Sequence, residues 1–291
     1  MNDAVERDGR LLMARKEVRL TVATATKNAV LAGRSAGLRR CVRSVGLLPF
    51  SHEHLVRDGG SQDGTVDVLN RLSCEVSGLK IASLPDGGIY DALNGALAVA
   101  RGEWFLVMGD DDEIINSSTL LDVLESSGAR NSDVMVSPVA LGDGRLFTAR
   151  PQLVLGGMSC PHQGMLVRTS LLRAIGGFDV RYRIAGDYDM FLKLMLSAAR
   201  LSCFDRPFAY FSMGTGISRD PVQCGIEDAA VLASALGLSA HERNFRLRNR
   251  VLPLCCSIRL LFHASPFIRA SARWQIAKRT AQLFGLLKGT K

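Results

Sequence analysis

Short β-rich runs alternate with stretches of three- and four-residue apolar spacing through the N-terminal part of the chain. Residues 19–25 (RLTVATA) predict a strand, 29–45 a helix, 54–57 a second strand and 63–72 a second helix opened by GGSQDG. A third strand follows at 79–83. Ile89, Leu93, Ala96 and Ala100 then recur on one helical face, predicting a helix over 88–100. The continuous apolar run 103–108 (EWFLVM) is of the kind found in buried parallel strands. Repeated βα units predict an α/β fold with a mostly parallel, doubly wound sheet and helices on both faces. Farther on, 133–141 and 145–148 flank GDG as a hairpin, 188–199 reads as a helix and 207–213 as one more strand.

Residues 244–291 mix Leu, Ile, Phe and Trp274 with Arg and Lys, predicting amphipathic helices interrupted at Pro253 and Pro266. The net charge of +8 resides here: eight Arg and three Lys face the single Glu242 beyond residue 240, giving +10, while the remainder sums to −2. A near-neutral body argues against general nucleic-acid binding. A basic amphipathic tail fits an anionic membrane surface, or else helices packed on the main domain with solvated Arg residues. The expected domains are a disordered tail at 1–17, an α/β domain at 18–220 and a basic helical extension at 221–291.

Seven cysteines without a C-x-x-C pair or regular spacing indicate neither a zinc site nor a disulfide framework, and read as reduced thiols. The sequence MNDAVERDGR lacks the apolar core of a signal peptide, so a cytoplasmic location is expected.

In open parallel sheets, ligands sit outside the carboxyl ends of the strands. Polar clusters follow each expected strand: 24–28 (TATKN), 58–65 (DGGSQDGT), 85–94 (PDGGIYDALN) and 109–113 (GDDDE). Asp110, Asp111 and Asp112 would repel one another unless a cation or hydrogen-bond donors sat among them. Mg2+ or Mn2+ takes carboxylate oxygen and keeps positions for phosphate, which suits a nucleoside diphosphate. An acidic loop capping a helix near Ser117 would account for the same residues. Asp58 can accept from a nucleobase or ribose, whereas Asp63 reads as a helix cap. No P-loop and no G-x-G-x-x-G is present, removing the usual markers of ATP hydrolysis and NAD binding.

These segments, with CPHQGMLVRTSLLRAIGGFDVRYRIAGDYDMFLKL and YFSMGTGIS, resemble in order the inverting family 2 glycosyltransferases of GT-A fold over about residues 18–220. They are most similar to the bacterial exopolysaccharide and colanic-acid-type branch. The resemblance implies sugar transfer from a metal-bound nucleotide-sugar to a glycan hydroxyl, with a lipid-linked acceptor and a protein peripheral at the inner face of the cytoplasmic membrane. It implies Asp187 as catalytic base, Asp112 as principal metal ligand for Mn2+ or Mg2+, and Asp111 at the ribose or metal. Thr24, Thr26, Asp58, Asp86 and Asp91 fall around the donor, and His162 and Gln163 line the sugar or acceptor pocket. Asp110 stands where relatives often carry a small residue, and is expected to be dispensable for the chemistry. Lys27 and Gly87 depart from the Tyr and Lys common in the family, so base and phosphate contacts are expected to differ. Outside this resemblance, the alternatives are a nucleotidyltransferase, for which only Lys27 offers an early phosphate grip, and a non-catalytic nucleotide-sugar-binding assembly protein.

Overall fold

The computed structural model describes residues 17–213, 220–238, 257 and 260–283. The expected disordered tail and Pro253 fall almost entirely or wholly outside them. Three βα units and a fourth strand open the fold: β1 (Leu20–Thr26), α1 (Ser35–Gly46), β2 (His52–Asp58), α2 (Thr65–Glu75), β3 (Leu79–Ser83), α3 (Ile89–Val99) and β4 (Trp104–Val107). Then come β5 (Glu113–Ile114), α4 (Ser117–Glu125), α5 (Ser127–Asn131), β6 (Val134–Val136), β7 (Val139–Leu141), β8 (Leu146–Phe147), β9 (Met165–Arg168) and α6 (Thr169–Ala174). The remainder is α7 (Gly186–Leu196), β10 (Leu201–Cys203), β11 (Ala209–Phe211), α8 (Pro221–Leu236) and α9 (Pro266–Leu283).

The main sheet has seven strands in the order β10-β6-β9-β4-β1-β2-β3. All its pairings are parallel except those of β9, which runs antiparallel between β4 and β6. Side chains alternate across it as the pleat requires. Leu20 and Val22 of β1 and Trp104 and Leu106 of β4 face Cys41, Val45, Leu120 and Val123, whereas Ala23 and Phe105 face Leu93, Leu97, Tyr188 and Phe191. Each fully buried Leu or Phe in these layers contributes about 2 kcal/mol.

Three expectations are corrected. The helix expected from residue 29 begins at Ser35, and only from there do Leu38, Cys41, Val42 and Val45 supply a buried helical face. Residues 29–34 form turns after Asn28, whose φ of 47° breaks the helical path. The Val30 and Leu31 N–H groups donate instead to Thr65 Oγ1 at 3.2 Å and Asp63 Oδ2 at 2.6 Å, tying this loop to the end of β2. The expected hairpin is also divided. Residues 139–141 and 146–147 do pair as β7 and β8, but Val134–Val136 joins the main sheet as β6. Third, β9 is a strand that the periodicity did not indicate, because four residues are too few to show a period.

The extension packs on the domain where it is described. Ile268 and Ala272 of α9 and Val231 and Leu232 of α8 are fully buried in the same core as Phe191. Ser271 Oγ accepts from the Leu155 N–H at 3.0 Å, and Gln275 Nε2 donates to the Leu155 carbonyl at 2.9 Å. Pro266 occupies the first turn of α9, where its missing N–H costs no hydrogen bond. Among the described residues no helix is long and apolar enough to cross a membrane.

Candidate active site

Thr26 and Asp58 end β1 and β2, and the aspartate triplet follows β4, so the predicted residues gather at the carboxyl ends of the parallel strands. The reversed direction of β9 completes the set. Because Leu166 pairs with Leu106 and Arg168 with Trp104, the start of β9 lies at the end of β4, and His162 and Gln163 in the preceding turn reach the same edge.

The three adjacent carboxylates have separate environments. Asp110 is held by Arg34, with Nε to Oδ1 at 2.9 Å and Nη2 to Oδ2 at 3.1 Å, and accepts from Thr26 Oγ1 at 2.6 Å. Asp112 is 1% exposed and has donors on both oxygens. Gly109 N at 2.9 Å and Gln163 Nε2 at 3.0 Å donate to Oδ2, and Ser212 N at 2.9 Å donates to Oδ1. Burial pushes its pKa up to about 6, against the charge of His162 and the hydrogen bonds from Gln163 and Ser212. Asp111 is partly exposed. Burial and the charge of Asp110 hold its carboxyl above the usual range, offset in part by the Ser212 hydroxyl and Arg34. A Cβ on Gly37 would lie 2.8 Å from Asp111 Cβ, so α1 must present glycine for the triplet's turn to approach it.

Asp187 stands in the first turn of α7 with 24% of its side chain exposed. Its Oδ2 is 3.3 Å from His162 Nδ1, and its Oδ1 accepts from the Tyr188 N–H at 2.8 Å and from Tyr90 Oη at 3.4 Å. Burial pulls the His162 pKa down, but the hydrogen bond and charge of Asp187, with the charge of Asp112, outweigh it and leave the value raised. A cavity of about 50 Å³ lies against the pair, lined by Tyr90, Phe105, Val107, Met165 and Met190. The neighbouring Asp189 is buried and pairs with Lys193 Nζ at 2.7 Å, a structural role.

Asp58 is buried and accepts from Ser61 N at 2.9 Å, from Ser61 Oγ and from Ser83 Oγ at 2.6 Å, which fixes the loop that follows β2. Asp86 accepts from Gly88 N at 3.1 Å and Asp91 from Gly87 N at 2.9 Å, shaping the turn into α3. Lys27 and Asp86 converge over Gly59, where an added Cβ would lie 2.9 Å from Asp86 Oδ2 and 3.1 Å from Lys27 Cδ. Of the two threonines expected near the donor, Thr24 is fully buried with Oγ1 3.0 Å from His54 Nε2, and the Thr26 hydroxyl donates to Asp110 at 2.6 Å. Arg34, Tyr90 and Ser212 were not foreseen. Arg34 and Ser212 carry no local pattern that marks them, since their partners lie 76 and 100 residues away. Tyr90 was legible only as part of PDGGIYD.

The sheet order and an acidic, open strand edge define a GT-A-like α/β protein. The model of the Glycosyl transferase family 2 matches residues 21–188, more than half of the sequence, and the chain belongs to that family. A PGL/p-HBAD biosynthesis glycosyltransferase of Mycobacterium bovis (strain BCG / Pasteur 1173P2) is 30% identical over 181 residues, 60% of this chain. The match spans 66% of that relative's length. Chondroitin synthase of Pasteurella multocida is 28% identical over 170 residues, covering 54% of this chain and 17% of that protein. Among solved structures, S. aureus TarS 1-349 in complex with UDP-GlcNAc shares the fold with a TM-score of 0.62 at 19% identity, covering 92% of each chain. The mannosyltransferase PcManGT from Pyrobaculum calidifontis, in complex with GDP-Man and Mn2+, gives a TM-score of 0.54 at 17% identity, covering 92% of this chain and 79% of that one.

Proposed function

We propose that this protein transfers a sugar from a nucleotide-sugar to a hydroxyl of a glycan acceptor, with inversion at the anomeric carbon. The observation that carries the reading is the state of Asp187. Asp58, Asp110 and Asp112 are buried and engaged by protein donors, whereas Asp187 keeps an accessible carboxylate beside His162 at the open strand edge. As general base it takes the proton from the acceptor hydroxyl while that oxygen attacks the anomeric carbon. The bond to the diphosphate breaks with its electron pair, and no covalent enzyme intermediate forms.

A divalent cation fits the site in a restricted way. Among the described residues no three His, Cys, Asp or Glu side chains converge as a cage. Mg2+ commonly needs only one or two carboxylates, its other positions going to water and substrate phosphate. Asp112 was expected to be the principal ligand; it is 1% exposed with three N–H donors on its oxygens, whereas Asp111 is partly exposed, so Asp111 is the better placed to hold Mn2+ or Mg2+. When bound, the cation neutralises charge on the departing diphosphate. Lys27, Gly59 and Asp86 form the wall on which the base of the donor rests, and Asp58 holds that wall through Ser61 and Ser83.

The acceptor in this reading is a lipid-linked glycan of bacterial surface polysaccharide synthesis, met at the inner face of the cytoplasmic membrane. Support comes from residues 244–291: Arg273 and Trp274 lie on the exposed face of α9, and Phe262 is 87% exposed, an arrangement suited to an anionic interface. The donor claim is tested by thermal shift with UDP, GDP and dTDP sugars plus Mn2+ or Mg2+. One species is expected to raise the Tm by linkage, and no shift across the panel would remove the claim.

A further inference from the structure

The loop that carries the base is clamped from both sides. On one side Tyr90 of α3 donates to the Ile184 carbonyl, and its ring lies where a Cβ on Gly186 would fall, 2.7 Å from Tyr90 Cδ2. Only glycine allows that approach. On the other side stands Glu227 of α8, 8% exposed. Its Oε2 accepts three successive backbone N–H groups, those of Arg183 at 3.1 Å, Ile184 at 2.7 Å and Ala185 at 2.9 Å. Gln223 Nε2, one turn earlier on α8, donates to Oε1 at 3.2 Å.

No cation pairs with Glu227 among the described residues. Its charge is balanced by the N–H groups and by the N-terminal end of α7, both of which favour an anion. Burying a carboxylate for three backbone donors fixes the path of residues 183–185, and Asp187 is two residues beyond. The side chain comes from α8, outside the segment 21–188 that matches the family.

We infer that Glu227 is a positioning residue for the transfer reaction: by gathering the Arg183, Ile184 and Ala185 N–H groups it sets where α7 begins and so where Asp187 meets the acceptor hydroxyl. The inference rests on Asp187 being the base. Its effect is expected in the chemical step, because Glu227 holds residues 183–185 beside Asp187, whereas the proposed donor wall is built from Lys27, Gly59 and Asp86.

The test compares Glu227→Ala and Glu227→Gln with the wild-type full chain, using the donor identified by thermal shift and a membrane extract as acceptor. A displacement of about 1 Å at the reacting group costs on the order of 100-fold. Glu227→Ala is therefore expected to lower kcat by about that factor. Glu227→Gln, which keeps one carbonyl acceptor, falls between it and wild type. The donor KM and the donor-induced Tm shift stay at wild-type values in both. A kcat within twofold of wild type in both variants overturns the inference, as does loss of donor binding in step with kcat, which marks a general structural role. If Glu227→Ala does not fold, Glu227→Gln decides by the same criteria. Full activity in Asp187→Asn defeats the base assignment itself. An inactive Asp187→Asn beside fully active Glu227 variants defeats only the positioning role.

Discussion

His162 Nδ1 lies 3.3 Å from Asp187 Oδ2, which couples the proposed base to a histidine at the open strand edge. The His162 pKa is raised above 6.5 despite burial, through the hydrogen bond and charge of Asp187. Below that value the imidazolium holds Asp187 in an ion pair, and above it the carboxylate is released to accept a proton. Stability has the opposite sign: the pair's contribution is complete below pH 6.5 and is lost as pH rises through the folded value. The ratio kcat/KM is thus expected to rise through an apparent pKa above 6.5 that belongs to the pair. In His162→Ala that limb should vanish, and an unchanged profile would dissociate His162 from the base.

The aspartate triplet separates by variant. Asp110→Ala leaves the half-buried Arg34 guanidinium without its carboxylate and is expected to cost about 2 kcal/mol of stability, read by denaturant unfolding. Asp111→Asn should leave the Tm of the free protein unchanged while abolishing the additional shift that Mn2+ gives with donor. If Asp112→Asn alone abolished that shift without loss of stability, the metal would belong on Asp112.

Glu53 supplies a stability test away from the site. Its buried carboxylate takes hydrogen bonds from Thr21 Oγ1 at 2.8 Å, Lys80 Nζ at 2.7 Å and Arg101 N at 2.6 Å, joining β1, β3 and the turn before β4. Burial raises its pKa, but the bonds from Lys80, Arg101 and Thr21 outweigh this and lower it. A lowered carboxylate pKa stabilises above the unfolded value, near 4.5, and the benefit is lost as pH falls through the folded value. Glu53→Gln should therefore cost about 2 kcal/mol at pH 7 and progressively less on acidification. A pH-independent difference would contradict the assignment.

Because α9 is part of the core, removing residues 244–291 would confound membrane binding with unfolding. Ile268→Ala is expected to destabilise by about 3 kcal/mol, measured by urea titration. The intact chain should co-sediment with anionic vesicles at low salt and release at about 0.5 M salt, where the Debye length is only a few ångströms. Equal association with neutral vesicles would remove the electrostatic reading.

The open-sheet half of this fold was legible because β4 is a continuous apolar run and β1 and β2 are short β-rich segments between helical patterns, with polar clusters following each. The separation of Asp110 from its neighbours was also legible in outline, though not its cause, Arg34. Helical periodicity extended α1 too early, since the apolar residues from Ala29 fit the spacing while the Val30 and Leu31 N–H groups serve a loop-to-loop contact with Thr65 and Asp63. Thr24 and Thr26 could not be sorted between donor and core, because the decision lies with His54 and Asp110 across the sheet. The same limit hid Glu227, whose three N–H partners are more than 40 residues distant.

The central claim is tested most directly by Asp187→Asn, assayed side by side for donor-induced Tm shift and for sugar transfer to acceptor. The account predicts a wild-type shift with transfer reduced on the order of 100-fold or more. Transfer at the wild-type rate would contradict it.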